Sequence, residues 1–322
     1  MKILITGGAG YLGSTLVPLL LAEGHQVRVI DRLDHGGDPL LGVWANPNFE
    51  FHNCDIRDSK GVSAAVAGVD AVVHLAAVVG DPACARQPEL ARAINLEASL
   101  ALIEESRRAG VQRFVFASTC SNYGRMADPD CYVTEDSELR PVSLYAETKV
   151  AVEKALLATR NGKSWSPTLL RFATVFGTSP RMRFDLTVNE FTMEMLAKKR
   201  LVVFGEQFWR PYVHVRDAAR AIALVLNSDS GKVAGRVFNV GATDQNFQKK
   251  QLIEMIRPYV PDAIVEFVHK AEDPRDYRVS FARINKELGF QITRTVTQGI
   301  EEIARLVGNR VIFDFEDPRH RN

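Results

Sequence analysis

Through the first half of the chain, short apolar runs alternate with stretches whose apolar positions recur every three to four residues. Lys2–Thr6, Gln26–Ile30, Phe49–Asn53, Asp70–Leu75 and Gln112–Ser118 are rich in β-branched and aromatic residues. The more continuous of these runs have the pattern of strands covered on both faces. Between them, Tyr11–Glu23 and Pro88–Ala109 carry apolar residues on one helical face and stop at Gly24 and Gly110. Strands alternating with helices predict a parallel sheet, and right-handed crossovers make it doubly wound. Beyond Thr174 the pattern loosens. Thr178–Arg183 reads as a loop, Val188–Lys199 as a helix, Leu201–Phe204 as a strand, Asp217–Asn227 as a helix and Arg236–Val240 as a further sheet strand. Helices follow at Gln248–Pro258 and Thr297–Val307, and the polar residues from Phe313 to Asn322 are expected to be loose. The expected division is a sheet domain over 1–175, with a return segment at about 208–240. A smaller α/β domain would then be built from 176–207 and 241–322.

Composition narrows the class. With 322 residues, 46% of them hydrophobic, the chain can bury a large core. Forty Lys and Arg balance 39 Asp and Glu, so no basic field argues for nucleic acid or an anionic membrane. No apolar run approaches the roughly 18 residues of a membrane span. The opening Met1–Ile5 reads as a strand rather than a signal peptide. Cys54, Cys84, Cys120 and Cys131 form no C-x-x-C pair and no metal-ligand cluster, so no metal is expected and a cytoplasmic location is.

The first turn carries the clearest chemistry. Gly7, Gly8, Gly10 and Gly13, with Tyr11 and Leu12 between the last two, satisfy two overlapping dinucleotide patterns between a strand and a helix. Glycines let the backbone approach a pyrophosphate, and the helix directs its N–H groups and positive dipole end at it. The sheet domain is therefore expected to be of the Rossmann type. Asp31 ends the second strand at the distance where a carboxylate accepts from a ribose diol and repels a 2′-phosphate, which favours NAD over NADP. Arg32, directly after it, would act the other way. Asp55 and Ile56 follow the third strand, either at the adenine or as a cap for the residues after Asp58. Leu75, Ala76 and Ala77 close the fourth strand with room for a cofactor.

Tyr145 and Lys149 stand four apart on one helical face, so the ammonium can favour the phenolate of Tyr145 as a proton acceptor. At the end of the fifth strand, Thr119, Cys120 and Ser121 present hydroxyls and a thiol where parallel sheets bind ligands. A Thr119 hydroxyl there could stabilise charge on the reacting oxygen.

With these elements in place, the chain resembles the extended short-chain dehydrogenases/reductases, the group of NAD-dependent nucleotide-sugar epimerases, dehydratases and reductases. The resemblance runs from Lys2 to about Val307 and implies a catalytic triad of Thr119, Tyr145 and Lys149. It further implies cofactor contacts at Asn95 and Phe172, and substrate contacts at Val79, Gly80, Thr174, Arg210 and Arg275. The two arginines would clamp a diphosphate. Thr174 stands where the family usually has Asn. Cys120 and Ser121 stand where its 4,6-dehydratases carry an Asp-Glu pair, which makes dehydration of the usual type an unexpected activity. The segments Val79–Cys84 and Thr174–Phe191, with Arg181, Arg183 and Asn189, are similar to a subset of C4-dehydrogenases acting on nucleotide-activated heptoses. So is the segment Glu272–Ser280. The implied substrate is a nucleotide-diphosphate sugar and the implied assembly a homodimer or higher oligomer, through the helices Pro88–Ala109 and Tyr145–Ala158. The implied reaction is oxidation at a ring carbon, C4, by a dehydrogenase or epimerase. Two other readings stay open: a 4-keto-sugar reductase, and a catalytically silent NAD-binding regulator.

Overall fold

In the computed structural model the five strands foreseen in the first half enter one parallel sheet. The structure describes residues 1–126, 128, 131–159, 165–270 and 275–322. The first half runs β1 (Lys2–Thr6), α1 (Gly13–Ala22), β2 (Gln26–Asp31), β3 (Phe49–Asn53), α2 (Ser59–Val66), β4 (Ala71–His74), α3 (Asp81–Arg86), α4 (Pro88–Arg92), α5 (Ser99–Arg108), β5 (Arg113–Thr119), α6 (Leu144–Ala158) and β6 (Ser166–Phe172). The rest carries β7 (Thr174–Phe176), α7 (Thr187–Met193), β8 (Arg200–Phe204), β9 (Trp209–His214), α8 (Val215–Asn227), α9 (Ser230–Val233), β10 (Arg236–Val240), β11 (Asn246–Gln248), α10 (Lys249–Ile256), β12 (Ile264–Val268), α11 (Ala282–Leu288) and α12 (Val296–Gly308).

The large sheet has seven strands in the order β10-β6-β5-β4-β1-β2-β3. The strand order reverses between β1 and β4, and the crevice at such a switch is where ligands of these sheets bind. Apolar side chains of β1, β4 and β5 are buried on both faces of the sheet, as continuous apolar strands require. A third core cluster lies under two small sheets, β11-β9-β7 and β12-β8, and is closed by α7, α10 and α12. Val296, Ile300, Ile303 and Val307 form the buried stripe of α12, each worth about 1.5–3 kcal/mol when fully buried.

Two predicted helices are bent for a reason. Pro88–Ala109 is one nearly continuous rod, α4 to α5, interrupted by a π-turn over Ala93–Ala98. The wide turn places Asn95 and Ser99 inward, where a regular helix would rotate them, and such turns recur at functional sites. Val188–Lys199 likewise becomes α7 and a π-turn, ending at Lys199 in the left-handed region. The tail is not loose. The Phe184 N–H donates to the carbonyl of His320, and the Phe184 ring meets Phe315 edge-on at 5.2 Å between centroids. Arg181 donates to the carbonyl of Arg321 and to Asn322 Oδ1. A polar segment reads as solvent-bound in sequence because the partners that order it lie far away along the chain.

Candidate active site

The cleft follows the carboxyl ends of the strands. At β1, Gly7 has a positive φ of 76°, and a Cβ there would stand 2.8 Å from the Ala76 backbone nitrogen. A Cβ on Gly13 would fall 2.2 Å from the carbonyl of Gly7. Only glycine keeps this turn closed against α1, which begins without a side-chain cap. Asp31 sits beside the turn. Its Oδ2 accepts from the Ala9 N–H at 3.0 Å and its Oδ1 from Leu33 at 2.9 Å. Burial raises its pKa, and those two bonds work against the rise. Arg32 is turned away: it donates to Asp34 and to Asp55, at 2.9 and 3.0 Å. Asp55 also takes Arg57, whose hydrogen bonds hold its pKa down to about 2. Asp58, not Asp55, caps α2, accepting from the Lys60 N–H. Ile56 is buried in the adjoining core.

At β4, Thr6 Oγ1 accepts from the backbone N–H groups of Leu75 and Ala76, at 3.2 and 3.1 Å. It also bonds His74 Nδ1 at 2.7 Å, while His74 Nε2 meets Ser99 at 2.9 Å. Burial pushes His74 down to about 3, so it stays neutral. Asn95 pins the segment past Ala77: its amide accepts from the Val78 N–H at 2.8 Å and donates to the Val78 carbonyl at 2.9 Å. Its role in holding that loop, rather than pointing free, explains the π-turn. Val79 leads to Gly80, at a φ of 92°, which turns the chain into Asp81.

The β5 end meets α6 across the cleft. Thr119 pairs in register with Phe172 of β6, so both stand at the same edge of the sheet. Thr119 Oγ1 accepts from the Ser121 N–H at 3.1 Å, which leaves its own hydrogen to donate. Ser143 caps α6 and thereby fixes the first turn that carries Tyr145. Lys149 is buried; its Nζ donates to the Ala117 carbonyl at 2.9 Å and lies 5.9 Å from the centre of the Tyr145 ring. Burial lowers Lys149 to about 8. The Tyr145 phenol is raised instead of lowered, by burial first and then by Cys84, while Arg183 draws it down and Asp81 pushes it up. The ammonium also stands 4.7 Å from the centre of the Phe116 ring.

A buried network supports this edge from below. Arg171 and Glu153 form a bidentate pair, with Nη2 to Oε2 at 2.7 Å and Nε to Oε1 at 3.0 Å. Glu153 also accepts from Ser118 and from Asn122, and Arg171 reaches the Tyr123 hydroxyl at 3.0 Å. β5, the turn after it, α6 and β6 are thus tied at one point.

The opposite wall comes from the smaller sheets. Arg210 is buried, donates to the Trp209 carbonyl at 2.7 Å and stands 5.6 Å from the ring centre of Tyr277. Tyr277 meets Ser121 at 3.4 Å. Burial raises Tyr277 to about 12, against the pull of both Arg210 and Arg275. Arg275 Nη1 also donates to Asp81 Oδ2 at 2.7 Å. Residues 271–274, immediately before Arg275 in the predicted segment, lie outside the described residues. Thr174 opens β7 opposite Tyr212 of β9.

Three residues expected at the substrate are engaged by other parts of the chain. Cys120 is 1% exposed, its thiol directed at the Arg171 carbonyl at 3.3 Å, because the turn after Thr119 rotates it under the sheet. Asn189 is fully buried and its amide is spent on backbone: it accepts from the Gly177 N–H at 2.9 Å and donates to the Arg183 carbonyl at 2.8 Å. It also donates to the Tyr11 hydroxyl, which itself donates to the Gly177 carbonyl. Asn189 therefore latches the 177–183 loop onto the glycine turn. Arg181 is buried, its backbone N–H donating to Ser14 and its guanidinium to the Arg321 carbonyl and Asn322. Arg183 is paired with Asp185 at 2.6 Å and faces Tyr145 closely enough to lower its phenol. Asp81, Ser143, Glu153 and Tyr277 were not foreseen. Glu153, an acid four residues after Lys149 on the same helix, was the one with a readable signal.

The parallel sheet, the glycine turn and the helix of Tyr145 and Lys149 bonded to the end of β5 define a dinucleotide-dependent oxidoreductase of the extended short-chain type. The sequence pattern of the NAD dependent epimerase/dehydratase family matches residues 3–241, and the chain belongs to that family. It is 29% identical to the UDP-glucose 4-epimerase of Corynebacterium glutamicum, over 94% of each chain. It is 31% identical to the dTDP-glucose 4,6-dehydratase of Streptomyces niveus, over 94% of this chain and 91% of that one. Among solved structures, the dTDP-glucose 4,6-dehydratase of Streptomyces venezuelae with NAD bound superposes with a TM-score of 0.86 at 27% identity, covering 99% of this chain and all of that one. The UDP-glucose 4-epimerase of Thermotoga maritima with UDP-glucose gives 0.86 at 26%, covering 97% of this chain and all of that one.

Proposed function

We propose that this NAD-dependent enzyme oxidises the C4 hydroxyl of a nucleotide-diphosphate sugar, as a dehydrogenase or, when the keto sugar is turned and reduced again, as a 4-epimerase. The observation that carries the reading is the bond from Lys149 Nζ to the Ala117 carbonyl, which ties the helix of Tyr145 and Lys149 to the strand end that carries Thr119, with Ser121 just beyond it meeting Tyr277 beside Arg210. NAD fits the first half of the cleft. The turn at Gly7 and Gly13 is a cradle that any Cβ would fill, Asp31 offers a ribose diol its carboxylate, and Arg32 is committed to Asp34 and Asp55. Bound NAD would supply the two-electron acceptor for the sugar's oxidation.

The chain's own residues do the rest. Tyr145, as phenolate, takes the proton of the sugar hydroxyl. Thr119 donates its hydroxyl hydrogen to the same oxygen as charge develops there. Lys149, held by the Ala117 carbonyl, keeps further N–H donors and its charge on the same helical face as Tyr145. Arg210 and Arg275 offer guanidinium forks to the diphosphate. Elimination of water from the sugar needs an acid after Thr119. Cys120, a buried thiol whose pKa is raised well above its ordinary value, and Ser121, a hydroxyl, do not supply one. A homodimer through α5 and α6 fits the exposed Leu100 and Ala101 on α5.

The test is a screen of the purified enzyme with UDP-, GDP-, dTDP- and CDP-sugars, following NADH absorbance together with product mass and NMR. A ketone with NADH gives a dehydrogenase, and an isomerised sugar with no net NADH gives an epimerase. Failure of every nucleotide sugar to bind, with NAD bound normally, would refute the reading.

A further inference from the structure

Arg181 is a buried cation without an anion. It is 4% exposed, and its Nε is buried with no partner. Its neighbour Arg183 has Asp185 at 2.6 Å, whereas among the described residues no carboxylate stands in ion-pair range of Arg181. Burial pulls its pKa down to about 10, with Arg183 adding to the fall. A buried charge in this state is costly unless a ligand completes it. The side chain is nonetheless held in one place. Nη2 donates to the Arg321 carbonyl at 2.9 Å and to Asn322 Oδ1 at 2.7 Å. The Arg181 backbone N–H donates to Ser14 Oγ at 3.3 Å, in the first turn of α1, and Ser179 Oγ donates to the Tyr11 carbonyl at 2.6 Å. The loop of Arg181 therefore lies on the glycine turn, where α1 begins without a side-chain cap.

Residues 319–322 span the same place. The Asn322 carbonyl accepts from Arg86 at 2.9 Å, its N–H donates to Asp185 at 3.3 Å, and Arg319 reaches Asp38 at 3.5 Å. Arg86 ends α3, which follows β4, and Asp38 follows β2. In the sheet, β1 and its glycine turn lie between β4 and β2, so the segment ties together the two sides of the switch-point crevice. Arg321 Nε and His320 Nδ1, in the same segment, are also buried without partners. An uncapped helix N-terminus with a buried guanidinium laid against it suits an anion, and NAD brings its pyrophosphate to such a turn. Resting on NAD as the cofactor and not on the identity of the sugar, we propose that Arg181 donates to the NAD pyrophosphate and that residues 319–322 form a strap holding it there, so that the cofactor leaves only when the strap lifts.

The experiment needs no sugar. Calorimetry gives Kd for NAD, ADP-ribose and adenosine with the wild type and R181M. Stopped-flow displacement of NADH by excess NAD gives the release rate for the wild type, for R86A/R319A and for a variant lacking residues 319–322. R181M should weaken NAD and ADP-ribose by about 10- to 100-fold, the weight of a hydrogen bond between charged groups, and leave adenosine, which has no phosphate, unchanged. Removing the strap should speed NADH release by about tenfold or more. R86A/R319A, which cuts only its exposed anchors, should speed it by about two- to fivefold. Unchanged NAD affinity in R181M, or an equal loss for adenosine, overturns the pyrophosphate contact. NADH release at the wild-type rate in R86A/R319A overturns the strap, and that variant decides the matter if the shortened chain does not fold. Neither failure touches the nucleotide-sugar reading, which stands or falls on the sugar screen.

Discussion

Replacing Glu153 by Ala should be among the most damaging single changes far from the solvent. Glu153 is 1% exposed and Arg171 4%. The substitution strips the guanidinium of its bonds at Nε and Nη2 and leaves it charged, tied only through Nη1 to the Tyr123 hydroxyl and the Glu135 carbonyl. It also removes the carboxylate that accepts from the Ser118 hydroxyl and from Asn122 Nδ2. Removing one partner of a buried pair costs about 3–5 kcal/mol, because the remaining charge keeps its desolvation penalty. At about 2 °C per kcal/mol for a large domain, the thermal midpoint should fall by roughly 6–10 °C. The pair itself is a different quantity. E153L/R171M removes both charges, so it should lose less than E153L and R171M summed, by about 2 kcal/mol or more. Urea and thermal unfolding of the four proteins closes the cycle. A loss below about 1 kcal/mol for E153A, or simple additivity, would refute the account of Glu153 and Arg171 as a mutually dependent support for the β5–α6 junction.

Other outcomes follow from the same geometry. Y145F should lower kcat by 10²–10⁴-fold, the usual weight of general acid–base catalysis, with NAD affinity unchanged by calorimetry. Lys149 titrates near 8 in the free enzyme, so kcat/KM for oxidation should decline above that pH as its charge is lost; a profile still climbing at high pH would remove Lys149 from the mechanism. His74 is neutral in the fold down to about pH 3, whereas an unfolded histidine protonates near 6.5. The unfolded chain therefore binds the extra proton below about pH 6.5, and stability should fall with acidification by up to about 1.4 kcal/mol per pH unit from this group. Thermal midpoints of H74Q should show a shallower slope over that range. Phe315→Ala removes an edge-on ring pair with Phe184 and should cost about 0.5–1.5 kcal/mol beyond its area, read as the difference from a Phe315→Leu control.

What the sequence displays and what it hides divide along one physical line. Periodicity and glycine spacing are local, so β1 through β5, α1 and the Asp31 position could be read, as could the helix face carrying Tyr145 and Lys149. Direction is not local. Cys120 follows Thr119 directly, yet whether a side chain after a strand enters the cleft depends on the turn, and here the short helical turn capped by Thr119 sends the thiol beneath Arg171. The same holds for Asn189, a residue of the right type in the right segment, whose amide is consumed by holding Gly177 and Arg183 to the glycine turn. Charge partnership is the most distant kind of information. Asp81 and Arg275 are separated by 194 positions, Glu153 and Arg171 by 18, and neither pairing has a sequence period. The tail failed for that reason too, since Arg181 and Phe184 order it from 140 and 136 positions away. The spacing of Tyr145 and Lys149 on one helix is local and legible, whereas contacts such as that of Asp81 with Arg275 join distant chain segments, and reading them requires the structure.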